Sequence, residues 1–533
     1  MKNNIKVLTA SALLLSMGLA SCNDLDTFPQ NNYVTADQKL NAIAKNPDLG
    51  AAGVVGISSV YPMTMKLFDY HFDFGWPAML FMLDNIGPDL VGMNDGYNWF
   101  SMAAEYSLGN HTNVVNQEAW YLAYKIIKAS NDVVGSIDPE TDDKTAMLYA
   151  AQGHAQRAYA YLTLAQLFQY TYVGHESLPC VPILTDLNAE QVAIDGGCPR
   201  ATVQEVYDQI ISDCTTAIDL LTKSGLPVTK ISSIGSKRYA SLGVAYGLRA
   251  RANLIMNKWA EAASDADLAI KNSGCTPLSI EEAAKPGFWN SDDHECMWAV
   301  YITETDRCVT SGIVNFPSHM GSFNKNGYWT VGAIRKISKA LYNTIPTSDA
   351  RKGWWLNGSG LSKNLTDEQQ NFVSGFPKTT GMMQVKFGPY KDEVGTTTNA
   401  NDYFLMRVEE MYLIKAEATG MTNAGEGKKI LEDFVKTYRD PDYTCSAASS
   451  QELQNEVWRQ RRIELWGEGH CYFDLLRLNK PLDRRGAGFE AVWVYYVKNP
   501  LKPLLVPIGE VNANKLLGEN NDTWSQPTAV SDN

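Results

Sequence analysis

The feature that most restricts the fold of this chain is a row of small side chains at helical spacing between residues 146 and 168. The row consists of Ala151, Ala155, Ala158, Leu162 and Ala165. Successive members stand four or three residues apart, so they share one face of a helix and allow a second helix to pack closely. Residues 118–134 are also periodic and precede Gly135 and Pro139. We therefore predict an antiparallel helix hairpin here.

The same kind of unit recurs farther along the chain. Residues 239–271 carry small residues at the offsets of a tetratricopeptide (TPR) repeat, with Trp259 in the bulky position. Residues 403–419 and 425–438 form a third predicted unit, and a helix predicted at 451–466 extends the stack. An isolated helix pair cannot bury its apolar face, so the units must stack on one another. The predicted fold class is mainly α, built from TPR-type helix pairs.

Two long insertions interrupt this pattern. Residues 60–107 and 285–383 are rich in Gly, Asn, Asp and aromatic residues and lack a helical period. We predict that they form long loops or short strands lying over the helical scaffold. Because binding surfaces usually lie on such loops, the insertions are the predicted ligand-binding regions.

The first residues are typical of a signal peptide. Lys2 and Lys6 supply positive charge ahead of an apolar stretch at 7–19, and the tetrapeptide LASC at 19–22 follows at the position of a cleavage site. This tetrapeptide resembles a bacterial lipobox. The alternative is an ordinary secretory signal followed by a chance cysteine.

From this pattern we expect a lipid-anchored protein. Residues 1–21 would be removed, and Cys22 would carry acyl chains that hold the protein to a membrane. The polar, Pro-containing residues 22–35 are the predicted tether, and 36–533 the predicted single domain. No apolar run after Cys22 approaches the length of about 18 residues that a membrane helix needs.

The net charge bears on the possible partners of the protein, and the cysteines bear on possible disulfides. The formal net charge is −13, and no basic cluster of the kind that neutralises phosphates occurs, which argues against a nucleic-acid partner. Of the cysteines beyond Cys22, none forms a CxxC motif. A Cys180–Cys198 or a Cys296–Cys308 disulfide is compatible with an oxidising compartment, and free buried cysteines are the alternative.

Motifs in the C-terminal half resemble a known family. Residues 402–418 read DYFLMRVEEMYLIKAEA and are similar to the D-Y-x-L-M-R-x-A-E-x-x-L-x-x-A-E-A helix of the SusD/RagB family. Residues 461–477 resemble that family's R-x-x-E-L-x-x-E-G-x-R-x-x-D-L-x-R pattern, and LVPIGEVN at 505–512 with Asn520 resembles its closing motif. Gln460 stands where a Glu often precedes the first Arg of the second pattern.

The resemblance implies an architecture and a role. Members of the SusD/RagB family are nutrient-uptake lipoproteins of the outer membrane, with a right-handed superhelix of TPR-type helix pairs. Each sits as a lid on a SusC-like TonB-dependent transporter, and members that bind glycans do so through aromatic residues on loops. The resemblance therefore implies a cell-surface protein that captures an oligosaccharide and delivers it to such a transporter.

A dense group of charges occurs near the C-terminal motif. It consists of Arg461, Arg462, Glu464, Glu468, Asp474 and Arg477. Paired carboxylates can carry out acid and base catalysis. Glu464 and Glu468, however, stand four residues apart with Arg461 a turn earlier, which is the spacing of an ion-pair network. We interpret the group as structural.

No catalytic motif occurs elsewhere in the chain, so we predict that the protein is not an enzyme. The seven histidines are scattered singly, and neither a metal site nor a cofactor is predicted. Two aspartates of the first insertion could form a glycosidase pair or bind Ca²⁺; the candidates are Asp84, Asp89 and Asp95. Their spacing in the sequence does not define their separation in space, so both alternatives stay open.

Oligosaccharide binding needs aromatic faces for the apolar side of a sugar ring and short polar groups for its hydroxyls. Two segments combine these residue types, at 94–100 and 323–329. The candidate ligand-binding residues are Tyr97, Asn98, Trp99, Trp289, Tyr328 and Trp329, with Asn290 and Trp76 as lesser candidates. For each aromatic residue the alternative is a buried side chain that anchors its own loop.

Three other readings of the sequence stay open. The RagB branch of the family permits capture of peptides, which would need charged or backbone-pairing groups in place of an aromatic surface. A surface glycoside hydrolase would need two of the aspartates named above. A purely structural partner of the transporter would have no ligand of its own.

Overall fold

The computed structural model describes residues 35–92 and 96–532. The predicted signal peptide, the lipidation site at Cys22 and nearly all of the predicted tether lie outside the described residues, as does Asp95. Within the described ranges no helix is both long enough and apolar enough to cross a membrane.

Helices form most of the scaffold. In chain order the α-helices are α1 (Ala36–Lys45), α2 (Ala51–Ser58), α3 (Trp76–Ile86), α4 (Ser101–Ala104), α5 (Val114–Val134), α6 (Lys144–Phe168), α7 (Ala189–Asp195), α8 (Val203–Ser224), α9 (Leu242–Ile255), α10 (Trp259–Ser273), α11 (Ile280–Ala283), α12 (Arg307–Thr310), α13 (Phe316–Met320), α14 (Lys339–Asn343), α15 (Asp367–Ser374), α16 (Val408–Thr422), α17 (Ala424–Tyr438), α18 (Ser450–Glu464), α19 (Cys471–Arg477) and α20 (Ile508–Ala513). The strands are β1 (Leu90–Val91), β2 (Cys296–Val300), β3 (Lys336–Ile337), β4 (Tyr403–Arg407), β5 (Leu482–Asp483) and β6 (Tyr496–Val497). Short 3-10 turns lie between them.

The long helices stack in a continuous series. Helix α6 packs against both α5 and α8, α9 pairs with α10, and α10 packs against α16, which in turn contacts α17 and α18. The three helix pairs predicted from the sequence are thus confirmed, and the fold is mainly α with TPR-type pairs. The insertions between the pairs do not interrupt the stacking, because successive pairs bury each other's apolar faces.

Glycine makes two of these helix contacts possible. A Cβ atom on Gly153 of α6 would lie 2.7 Å from the Val134 side chain at the end of α5. A Cβ atom on Gly427 of α17 would lie 2.3 Å from the Cα atom of Gly420 on α16. Since real Cβ contacts are longer than this, both helix pairs need glycine at the crossing point.

The predicted helix at 403–419 is partly wrong. Its first five residues form strand β4, which pairs antiparallel with β2, and the helix begins only at Val408. All five residues of β4 are buried. A short apolar run that is buried on both sides does not reveal whether it is a strand or a helix.

The predicted absence of helices from the insertions is also wrong. Helix α3 lies inside the first insertion, and all eleven of its residues are buried. A helix buried on every side has no polar face, so its sequence lacks the amphipathic period that identifies surface helices. Short helices α12 to α15 lie in the second insertion, where each is too brief to show a period.

A small sheet joins the two insertions. Strand β1 from the first insertion pairs antiparallel with β3 from the second, with Leu90 opposite Ile337 and Val91 opposite Lys336. Segments that are about 245 residues apart in sequence therefore meet in one sheet. The pairing of the two insertions also brings Tyr97 and Trp99 of the first insertion close to Tyr328 of the second.

A buried carboxylate, Glu464 at the end of α18, accepts hydrogen bonds from three arginines. Its oxygens lie 3.1 Å from Arg351 Nη1, 3.0 Å from Arg407 Nη1 and 2.7 Å from Arg439 Nε. Burial by itself would raise the pKa of Glu464, but Arg439 and the other two arginines hold that pKa well below its usual range. Glu464 is therefore ionised and fully paired.

The other charges of the dense group are paired as well. Glu468 bonds to Arg407 and Lys386, Asp474 to Arg461 and Arg477, and Arg462 to Asp89. The structural interpretation is confirmed, although the partners differ from those expected. Helix α18 ends at Glu464, so Glu468 lies beyond the helix end and shares no helix face with it. The cysteines within the described ranges are all free thiols.

We expect Glu464→Ala to lower the free energy of unfolding by about 3–5 kcal/mol, because three buried guanidinium groups would lose a shared counterion. Gln451→Ala, at an exposed position of the same helix, should change it by less than about 0.5 kcal/mol. Urea denaturation followed by circular dichroism measures both. A small effect of Glu464→Ala would mean that the network does not stabilise the stack.

We also expect Glu295→Gln to alter the pH dependence of stability. Burial, and then the nearby charge of Glu409, raise the pKa of Glu295 to about 8. Both Glu295 carboxyl oxygens lack a hydrogen-bond partner among the described residues. Because the folded pKa is the higher one, this group's stabilisation is complete below its ordinary pKa and is lost as the pH rises through about 8.

The wild-type protein should therefore lose stability relative to Glu295→Gln between pH 5 and pH 8, by at most about 1.4 kcal/mol per pH unit. Urea denaturation of the two proteins at several pH values in this range provides the measurement. Parallel curves with no divergence would show that Glu295 stays ionised in the folded protein.

Candidate functional site

The two insertions bring five rings together. We call Tyr70, His71, Tyr97, Trp99 and Tyr328 the aromatic platform. Ring centroids are 5.0 Å apart for Tyr97 and Tyr328, 4.8 Å for His71 and Trp99, and 6.4 Å for Trp99 and Tyr328. Tyr70 lies 6.2 Å from Trp99. Tyr70 and Tyr97 are each 52% exposed and present ring surface to solvent, whereas Tyr328 is buried at 5% exposure.

A column of stacked rings supports the platform from below. The Tyr328 ring stacks on His319 at 4.8 Å, and His319 stacks on Phe74 at 5.8 Å. Burial, and then the charge of Arg335, hold the pKa of His319 well below its ordinary value, so this imidazole is neutral. A neutral ring can be buried between two aromatic rings without the cost of desolvating a charge.

Hydrogen bonds fix the position of Tyr328. Its hydroxyl is hydrogen-bonded to Nδ1 of His71, and its backbone N–H donates to Ser318 Oγ at 3.1 Å. His319 Nε2 donates to the backbone carbonyl of His71 at 3.3 Å. The contacts of Tyr328 thus connect the first insertion to the second, and the platform is assembled from both.

Polar groups border the rings. Asn98 is exposed and has a left-handed backbone with φ of 54°, and Gly96 has φ of 82°. Asparagine and glycine tolerate this conformation, which turns the loop back at the platform edge. The indole N–H of Trp99 is buried and has no acceptor among the described residues. Buried donors are nearly always paired, so this unpaired N–H is unusual, but it is shielded from solvent.

Trp289 forms a separate patch. Its indole N–H donates to Asp392 at 2.9 Å, and its ring meets Tyr390 edge-on at 5.7 Å. Lys391 lies over the Tyr390 ring and pairs with Glu304 at 2.8 Å. Asn290 adjoins this patch in sequence. Among the described residues, no ring of the platform contacts Trp289.

Trp329 and Trp76 lie inside the protein. Trp329 is 3% exposed, donates through its indole N–H to the carbonyl of Asn324 at 3.1 Å, and packs against Phe376 at 4.5 Å. Trp76 is fully buried and donates to the hydroxyl of Tyr159 at 3.0 Å. Both positions match the loop-anchor alternative. Neither indole is presented to solvent.

Sequence reasoning did not select Tyr70 and His71. They belong to the aromatic-rich run YHFDF at 70–74 in the first insertion. That run is a weak signal by itself, because aromatic residues also fill cores. Only the fold shows that its two N-terminal rings face Trp99, while Phe72 and Phe74 are buried.

Two of the three acids considered for a hydrolase, Asp84 and Asp89, are described by the structure, and both are held by hydrogen bonds within the protein. Asp84 is buried and accepts from the backbone N–H of Gly469 at 2.8 Å, and burial raises its pKa to about 7. Asp89 is buried and accepts from Arg462 Nε at 2.8 Å. Neither carboxylate borders the aromatic platform. No group of three or more His, Cys, Asp or Glu side chains suited to a metal was found in the part of the chain that the structure describes.

Comparison with known proteins identifies the class. A family model described as starch-binding and associating with the outer membrane matches residues 82–243, and a model of the SusD family matches residues 320–515. Both models are SusD-type, and together they cover most of the chain. The chain belongs to the SusD family, as its C-terminal motifs predicted.

Individual relatives agree with this assignment. A SusD-like protein of Formosa agariphila is 23% identical over 387 residues, which are 63% of this chain and 68% of that protein. A SusD-like carbohydrate binding protein from Bacteroides vulgatus has a TM-score of 0.69 at 22% identity and covers 88% of this chain and 97% of its own.

A third relative was solved with a ligand. Surface glycan-binding protein A from Bacteroides thetaiotaomicron, in complex with laminarihexaose, has a TM-score of 0.62 at 18% identity. The match covers 89% of this chain and 99% of that one. At this level of identity the two proteins share the fold.

We expect Trp329→Ala to lower the free energy of unfolding by about 3–5 kcal/mol, because it empties a buried site. Tyr97→Ala removes a half-exposed ring and should change it by less than about 0.5 kcal/mol. Thermal and urea denaturation of the two variants test the distinction between a loop anchor and a surface ring. Equal losses in the two variants would contradict it.

Proposed function

We propose that this protein captures an oligosaccharide on the aromatic platform and delivers it to a SusC-like TonB-dependent transporter in the outer membrane. The observation that carries the proposal is a cluster of rings from both insertions, in which Tyr70 and Tyr97 are exposed and the buried Phe74–His319–Tyr328 column supports the cluster. A loop anchor would be buried, whereas Tyr70 and Tyr97 are about half exposed.

The chemistry of the platform suits a sugar. The apolar C–H face of a pyranose ring packs on Tyr and Trp rings, and its hydroxyls need short polar partners. The side chain of Asn98, which is exposed, supplies such a polar group at the platform edge. The Tyr97 and Tyr328 planes meet at 65° and the His71 and Trp99 planes at 31°. The rings are therefore tilted relative to one another and do not lie in one plane.

The relatives support a carbohydrate ligand. The matching family model is described as starch-binding, and one structural relative was solved with laminarihexaose. Trp289, Trp329 and Asn290 are less well placed than the platform: Trp329 is buried, and the patch around Trp289 and Asn290 has no ring contact with the platform within the described ranges.

We propose further that the protein binds without catalysis. Asp84 and Asp89 are buried in hydrogen bonds to the C-terminal motif, and a glycosidase needs two carboxylates on either side of an accessible glycosidic bond. Lipidation at Cys22 would hold the binding surface at the outer face of the outer membrane, within reach of the transporter.

Titration of oligosaccharides into the purified chain tests the proposal. We expect Trp99→Ala to weaken binding at least tenfold, equal to about 1.4 kcal/mol, because it removes the ring that contacts Tyr70, His71 and Tyr328. Tyr496→Ala, which removes another partly exposed tyrosine at 37% exposure on strand β6, is the matched control and should leave affinity unchanged. Isothermal titration calorimetry with a panel of glucan and other oligosaccharides gives the affinities.

The alternatives give different results in the same assays. Binding of peptides that survives Trp99→Ala would favour the peptide-capture reading, and new reducing ends released from a glycan would indicate a hydrolase. Absence of any glycan ligand would refute the proposal. Delivery is tested by recovering a TonB-dependent transporter with the tagged chain from outer-membrane extracts, and by uptake in a deletion strain complemented with wild type or Trp99→Ala.

A further inference from the structure

A groove of about 710 Å³ lies on the helical scaffold, and no residue of the aromatic platform lines it. Its volume is within the range of about 300–1,000 Å³ that ligand pockets have. One wall is the face of α5 that carries Trp120, Tyr121 and Tyr124. The opposite wall consists of the end of α7, the turn after it, and α20. These parts are joined by a hydrogen bond from Asn514 to the carbonyl of Cys198 at 2.9 Å.

Contacts within the protein fix the shape of the groove walls. The Tyr124 hydroxyl donates to the carbonyl of Pro182 at 2.7 Å. The Trp120 ring lies 4.7 Å from the Tyr124 ring and meets Phe168 of α6 edge-on at 5.0 Å. A site whose side chains are already held in place loses little conformational freedom when a ligand binds. The groove is therefore preformed.

Most of the groove wall is apolar, and much of it is aliphatic. Leu67, Leu184, Val192 and Pro507 line the groove together with the three rings of α5. A sugar has hydroxyls around the edge of its ring, and a hydroxyl that is buried against an aliphatic wall without a partner costs free energy. Aliphatic and aromatic side chains carry no such cost. The walls therefore favour apolar side chains over sugar rings.

Three charged side chains line the groove: Lys125, Lys128 and Glu510. Lys128 is already paired with Asp132 at 2.7 Å. Lys125 lies over the Tyr121 ring, and Glu510 accepts a hydrogen bond from the neighbouring amide of its own helix at 3.1 Å. Within the described ranges neither of these two has an oppositely charged partner. The groove therefore offers a ligand one cation and one anion.

We propose that this groove binds a short apolar peptide with free termini. The ammonium group of the peptide pairs with Glu510, its carboxylate pairs with Lys125, and its side chains lie against the apolar walls. A neutral oligosaccharide would use neither charge. A fatty acid or a phosphate ester would bring only negative charge and would leave Glu510 unpaired beside it.

The dimensions of the groove limit the length of the peptide. The groove follows α5 from Gln117 to Lys128, a distance of about 17 Å at 1.5 Å per residue. An extended chain takes about 3.3 Å per residue, so peptides of up to about five residues fit.

This site gives the protein a second class of ligand at a second place. It does not depend on the proposed capture of an oligosaccharide, because the groove and the platform share no residue. Titration with glycans measures binding at the platform, and titration with peptides measures binding at the groove. Trp99→Ala should therefore weaken glycan binding and leave peptide binding unchanged.

Isothermal titration calorimetry with peptides made of Leu, Val and Ala, about two to five residues long, tests the proposal. We expect peptides with free termini to bind, and N-acetylation or C-amidation to weaken binding at least about threefold each, because each cap removes one ion pair. Glu510→Gln should weaken binding of the free peptide and abolish the effect of N-acetylation. Lys125→Gln should do the same for C-amidation. Lys128→Gln removes an equal charge that is already paired with Asp132, so it is the matched control and should leave affinity unchanged.

A second pair of variants tests the location. Val192→Asp places a charge in the apolar wall and should abolish peptide binding. Ile194→Asp, on the same helix but 70% exposed and outside the groove, should retain it. Circular dichroism shows whether each variant is folded. The proposal would be overturned if no peptide of the series bound at about 1 mM, if capped and free peptides bound equally, or if Val192→Asp and Ile194→Asp had equal effects.

Discussion

The buried carboxylate of Glu464 is the interaction on which the arrangement of this molecule depends. It joins three arginines that come from different parts of the chain: Arg351 from the second insertion, Arg407 from the end of β4, and Arg439 from the end of α17. A charge buried without partners costs several kcal/mol, so each arginine is held where Glu464 can reach it. The network therefore fixes the second insertion to the last helix pairs of the stack.

The position of the aromatic platform depends on how the two insertions are held to the scaffold. Strand pairing between β1 and β3 brings the first insertion to the second, and Arg462 on α18 holds Asp89 just before β1. The His319 ring then supports Tyr328, whose hydroxyl meets His71. Rings preorganised by a rigid scaffold lose little freedom when a ligand binds, which favours recognition by stacking. The buried ion pairs therefore hold in place the insertions that carry the platform rings.

Much of the scaffold could be predicted from the sequence, and the failures have physical causes. The small-residue spacing from Ala151 to Ala165 correctly predicted a closely packed helix, because that pattern is local. Helix α3 and strand β4 were mispredicted, because segments buried on all sides carry no periodicity. Within the candidate site, Tyr97, Trp99 and Tyr328 were selected and do meet, whereas Trp329 proved to be buried in its own loop.

The sequence by itself determined the helical repeats, the family motifs and the kinds of residue in each insertion, since all of these are encoded by neighbours in the chain. Only the tertiary structure decided which aromatic residues face solvent, that Tyr70 and His71 complete the platform, and that Glu464 pairs with Arg351, Arg407 and Arg439. These outcomes depend on contacts between residues far apart in the chain. The free energy of these contacts comes from burial of apolar surface and pairing of charges in the folded protein, and the spacing of residues along the chain does not show which contacts form.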